Sequence, residues 1–85
     1  MKVYLFTVTN FCEEEVYYRL FRRLEDAKEY LRKAVAEEVR EEIVLDHPVR
    51  HHISEDGMYA EVDITDIVGN TITVCYDISE QEVIE

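Results

Sequence analysis

Glycine occurs twice in the 85 residues and proline once, too little of either for a linker or a disordered chain. The two cysteines, Cys12 and Cys75, lie far apart. That density excludes a secreted disulfide scaffold and points to a reduced compartment. A single Cys12–Cys75 bridge stays open only if strand pairing brings the thiols together. No run approaches about 18 apolar residues, so no membrane-spanning helix is expected, and "MKVYLFTV" is too short and strand-like for a signal peptide. These absences together lead to the expectation of a soluble cytoplasmic protein that does not engage membranes.

The scarcest component is positive charge. Nine Lys and Arg face twenty Asp and Glu, a net charge of −11. Small soluble domains ordinarily carry a magnitude of about 2 to 8. A surplus of this size repels nucleic acid and anionic membranes and draws in basic protein surfaces. It is also unevenly placed. Residues 1–36 hold six acids and seven bases, whereas residues 37–85 hold fourteen acids and only Arg40 and Arg50. The whole excess sits in the second part of the chain.

The length fits one domain, residues 1–85, with a single core that buries only a little over about 60 % of the unfolded surface. "KVYLFTVT" (2–9) reads as a strand, with Val3 and Leu5 on one side and Tyr4, Phe6 and Val8 on the other, as an interior strand requires. "NFCEEE" is a polar break with Asn10 as turn former, and "VYYRLF" (16–21) is a second strand. Leu24, Ala27, Leu31, Ala34, Val35, Val39 and Ile43 then recur at helical spacing and predict a helix of some twenty residues with one apolar stripe. Glu25 and Asp26 suit its positive end, although no side-chain cap precedes them. "HPVRHHISEDG" reads as an irregular connection. Strands follow from Met58 to Thr65 and from Thr71 to Ile78, with Ile64 expected opposite Val74 about a centre at Gly69. That register needs an odd-length loop or a bulge within "TDIVGN". "SEQEVIE" reads as a helical turn or a tail. The expected fold is therefore α+β: ββαββ, a mainly antiparallel four-stranded sheet with one long helix on one face. The opposite face should be open and carry Glu61, Asp63, Thr73 and Asp77, with Tyr59 and Tyr17.

No motif for catalysis or ligand binding stands out. His47, His51 and His52 are interrupted by Pro48, and neither C-x-x-C nor H-E-x-x-H occurs, so no metal is expected. Glu61 and Asp63 share an open, wet strand face that does not suit acid–base work, and Cys75 lacks a neighbouring base. "DITDIVGN" lacks the spaced acids of a calcium loop. The reading is of a non-enzyme without a cofactor.

What remains is the acidic surface. "EEVREEIVLD" (37–46) holds five acids and one base as it nears the negative end of the helix dipole, each misplaced acid costing about 0.3–1 kcal/mol. Four carboxylates between Glu37 and Glu42, over about 7.5 Å of helix axis, approach the duplex-DNA density of about one charge per 1.7 Å. Such a ridge, joined by the strand acids into one continuous patch, would suit a groove built for phosphates; solvation alone is the blander account of the same charge. The expected partner-binding set is Glu37, Glu38, Glu41, Glu42, Glu61, Asp63, Asp77 and Tyr59.

A short acidic chain of this element order, with "FRRLEDAKEYLRKAVAEEV" passing from strand to helix, resembles the small phage-encoded anti-defence proteins, anti-CRISPR inhibitors among them. The resemblance covers the chain in size, charge and element order, and carries over no functional residue. It implies a non-enzymatic inhibitor in a bacterial host. Such an inhibitor would occupy the nucleic-acid groove of a basic partner, such as a CRISPR nuclease, by imitating phosphates. A structural or regulatory homodimer, its acids serving solubility alone, is the alternative.

Overall fold

Alternation of apolar side chains builds the sheet, and one long apolar stripe builds the helix that covers it. The computed structural model describes residues 1–10 and 15–84. The elements run β1 (Lys2–Asn10), β2 (Glu15–Phe21), α1 (Leu24–Val44), β3 (Val49–Ile53), β4 (Tyr59–Thr65) and β5 (Thr71–Glu82). The strands form one antiparallel sheet in the order β2-β1-β5-β4-β3. β1 is interior, as its two apolar sides require.

The sheet has five strands rather than the four expected. The extra strand, β3, comes from "VRHHI", part of the stretch read as an irregular connection. Its apolar content is confined to Val49 and Ile53, which face Ile64 and Ala60 on β4. Arg50, His51 and His52 between them are exposed and hide the alternation. β5 likewise runs to Glu82. Ser79 and Glu80, expected in a turn or tail, pair with Leu5 and Tyr4 of β1. Asn10, expected to form a turn, is the last residue of β1 and pairs with Glu15. The rest of the anticipated break, including Cys12 and any bridge through it, lies outside the described residues.

The β4–β5 register is shifted by two from expectation. Ile64 faces Ile72, Val62 faces Val74 and Ala60 faces Tyr76. A shift of two keeps every side chain on its own face, so hydrophobic alternation alone cannot distinguish the two registers. The loop decides. Asp66 Oδ1 accepts the backbone N–H groups of Val68 (3.0 Å) and Asn70 (2.9 Å), closing a five-residue turn in which Gly69 takes φ 90°. The odd loop length matches expectation.

The core is Phe6, Ala60, Val62, Ile64, Val74, Tyr76 and Ile78 from the sheet, packed against Ala27, Leu31 and Val35 of the helix. Phe6 meets Tyr30 edge-on at 5.1 Å between ring centroids. The stripe extends through Leu24, Ala34 and Val39 but not to Ile43, which is 62 % exposed instead of buried. Arg23 begins the helix without a side-chain cap, as expected. The C-terminus closes through Asp46 N–H to Ile43 O (3.0 Å) and His47 N–H to Glu42 O (2.9 Å). That is a Schellman motif with Asp46 at its left-handed position, φ 61°. The molecule is elongated, 50 × 23 × 18 Å.

Candidate interaction surfaces

The helix lies against the sheet face that carries Phe6, Ala60, Val62, Val74 and Tyr76. Alternate residues of each strand therefore point to the opposite, uncovered face. Glu61, Asp63, Asp77 and Tyr59 belong to that uncovered face, whereas Glu37, Glu38, Glu41 and Glu42 project from the helix layer. The expected single patch is thus divided by the thickness of the sheet. Tyr17 also departs from expectation: paired with Val8, it belongs to the helix side.

On the helix side, Glu37, Glu38 and Glu41 form one wall of a groove of about 250 Å³, floored by Phe6, Val8, Tyr17, Tyr30, Ala34 and Tyr76. This is smaller than the roughly 300–1,000 Å³ of small-molecule sites. Burial, then Glu38 and Glu41, push the Tyr76 hydroxyl well above the usual tyrosine range, so it stays protonated beneath the carboxylates. Across the groove the Arg19 guanidinium stacks 4.7 Å from the Tyr30 ring centroid and 5.5 Å from that of Phe21. A hydrogen bond with Tyr17, then one with Arg19, lowers the Tyr30 pKa. Glu42 stands apart from its neighbours. It is half-buried, and its Oε2 lies 2.6 Å from Nδ1 of His47, tying the helix end together.

On the uncovered face, Tyr59 donates its hydroxyl to Glu61 Oε1 at 2.5 Å and lies 3.8 Å from Cys75 Sγ. The Glu61 hydrogen bond, then that to Cys75, raises the Tyr59 pKa. Thr73 donates to Asp63 Oδ1 at 2.8 Å. Asp77, exposed, faces Tyr59 across the strands. His52 stands opposite Glu61, and Arg50 opposite Asp63, at the β3 margin. Arg50 and Asp63 also line an open depression of about 500 Å³ with Thr65 and Thr71.

Two further features were not legible in the sequence. Ile67 and Val68 at the β4–β5 turn are 90 % and 78 % exposed, and Tyr18 and Leu20 on β2 are 62 % and 63 % exposed. Their apolar character reads as core until the strand faces are known. Among the described residues no group of three or more His, Cys, Asp or Glu could hold a metal ion, and no helix is long and apolar enough to cross a membrane. Comparison with known protein families, known proteins and solved structures gives no match.

Proposed function

We propose that the protein is a non-enzymatic binding protein that occupies a basic, nucleic-acid-binding surface of a partner, an inhibitor in the manner of the anti-CRISPR proteins it resembles. The carboxylate ridge of α1 carries this reading. Glu37, Glu38 and Glu41 stand along one wall of an aromatic-floored groove, and the last turn of the helix contains no base. Glu41, in that last turn, acts against helix stability, which supports a role in contact rather than in folding. Tyr17, 50 % exposed in the groove lining, adds the amphipathic ring typical of interfaces. Glu61, Asp63 and Asp77 face the other way and do not extend the ridge. Glu42, committed to His47, supports the helix end.

The test is capture from bacterial lysate at low salt by the immobilised protein and by its Glu37→Lys/Glu41→Lys variant. The reading expects a basic nucleic-acid-handling protein held by the parent and lost by the variant. Its retention should fall at least about tenfold between roughly 50 and 200 mM salt, and its nucleic-acid binding should be blocked by the added protein. Equal capture by both forms, or a partner indifferent to salt, overturns it.

The exposed edge strand favours one second reading, a homodimer joined through β2. Tyr17, Tyr18 and Leu20 leave that edge apolar, with Arg19 its central charge. Sedimentation at micromolar concentration would show a dimer that persists on dilution, and a monomer throughout would remove this reading.

A further inference from the structure

The uncovered sheet face is divided lengthwise. On β1 and β2 its described residues are Val3, Leu5, Thr7, Thr9, Tyr18 and Leu20, none of them charged. On β5 and β4 the same face carries Asp77, Glu61 and Asp63 beside Tyr59, with Arg50 and His52 confined to the β3 margin. The cross-strand row Leu20–Leu5–Ser79 adjoins the row Tyr18–Thr7–Asp77–Tyr59, so apolar and acidic halves meet along the β1–β5 seam.

A second copy fits this layout poorly. A face-to-face dimer is isologous, with its two-fold axis lying in the interface plane. An axis across the strands sets acids on acids. An axis along them sets the apolar half on the acidic half. Neither alignment is complementary, and sheet-on-sheet packing through β2 edges leaves the face bare.

We infer that this face docks an amphipathic basic helix of a partner protein, its apolar stripe on Leu5, Leu20 and Tyr18 and its Lys or Arg side chains on Asp77 and Glu61. The dimensions agree. Strand spacing of about 4.8 Å puts roughly 10 Å between β1 and β4, the diameter of a helix. The opposite face of the same sheet already holds α1 by such packing, and a docked helix completes a three-layer arrangement. Tyr59 and Tyr18 lie where a cation can rest on either ring. The surface is separate from the α1 ridge, and the inference stands or falls independently of the proposed function.

The probe is an 18-residue Leu/Lys peptide with leucines at i, i+3, i+4 and i+7 and lysines on the adjoining side. A scrambled peptide of equal composition is the control. Amide shift mapping and titration calorimetry are the readouts. Shifts should concentrate on β1, β2, β4 and β5. Asp77→Lys with Glu61→Lys should weaken binding at least about tenfold, and Leu20→Ser about threefold or more. Glu37→Lys should leave it within about twofold. Asp77→Asn, which keeps the side chain's shape, replaces the double reversal if that variant loses its native spectrum. Equal affinity for the scrambled peptide, shifts centred on Glu37–Glu41, indifference to the Asp77 variants or no binding at millimolar peptide each overturns the inference.

Discussion

The two halves of α1 obey different rules. Beyond its uncapped start, the first half follows the physics of helix stability. Glu25 and Asp26 sit at the positive end of the dipole, Lys28 and Lys33 lie 4.0 and 3.3 Å from Glu25 and Glu29, and Ala27, Leu31 and Val35 are buried. The second half departs from these rules toward its end, beyond Val39, which still packs on the core. Carboxylates crowd its negative end, Ile43, Val44 and Leu45 are 62, 79 and 60 % exposed, and an aspartate occupies the left-handed position usually given to glycine. Residues that cost stability without repaying it in packing are where surface chemistry, rather than folding, has set the sequence. Anchoring therefore belongs to the apolar stripe from Leu24 to Val39, and the proposed contact role to the carboxylates Glu37, Glu38 and Glu41.

The sharpest way to break this division is to truncate the apolar stripe in each half. Leu31, fully buried against the sheet, should lose about 3 kcal/mol as Leu31→Ala. Ile43, equally large but turned about 120° around the helix from Leu31 and 62 % exposed, should change stability by no more than about 0.5 kcal/mol as Ile43→Ala. Urea unfolding of both variants measures this, and comparable losses would mean the stripe is continuous after all.

Next comes alkaline unfolding. The Tyr76 pKa is raised by burial, and by Glu38 and Glu41 of the second half. The folded protein thus holds this proton more tightly than the unfolded chain does. The associated stability is fully present below the ordinary tyrosine pKa of about 10 and is lost as pH rises above it. Tyr76→Phe should flatten the decline in thermal midpoint above pH 10. An unchanged decline would place the alkaline sensitivity elsewhere. Smaller again is the cap. Asp46→Gly removes a Cβ from φ 61° and an acid from the negative helix end, and should stabilise by about 1 kcal/mol. A midpoint unchanged or lowered would show that the aspartate is held there by contacts worth more than its strain.

The sequence was informative where periodicity is strong and both sides of an element differ. It predicted β1, β2, α1 and the absence of an N-terminal cap, because each rests on local spacing. β3 escaped because three of its five side chains are Arg and His on an exposed edge. The tail of β5 escaped because Ser79–Glu82 gain strand structure only from pairing with Lys2–Leu5, a contact no local pattern carries. The acidic surplus was evident as composition, but not its division between two faces. The faces follow from which side of the sheet α1 covers, and that depends on the tertiary arrangement. Glu42 was indistinguishable from Glu41 in sequence; only the Schellman turn that carries His47 back to it separates a structural carboxylate from an exposed one.

The smallest effect is the most direct measure of the charge asymmetry. Glu29 and Lys33 form an exposed i,i+4 pair at 3.3 Å. Such pairs contribute about 0.2–0.5 kcal/mol, and Lys33→Ala should cost that much at low salt and almost nothing near 1 M. Glu41→Ala, one turn from the negative end of the dipole and opposite in sense, should instead stabilise by a similar amount, with the same decay in salt. Opposite signs at low ionic strength, converging as salt is added, identify electrostatics as the origin of both. Both variants destabilising, with no dependence on salt, would mean that the acidic half contributes through packing, and the contrast between the two halves of α1 would disappear.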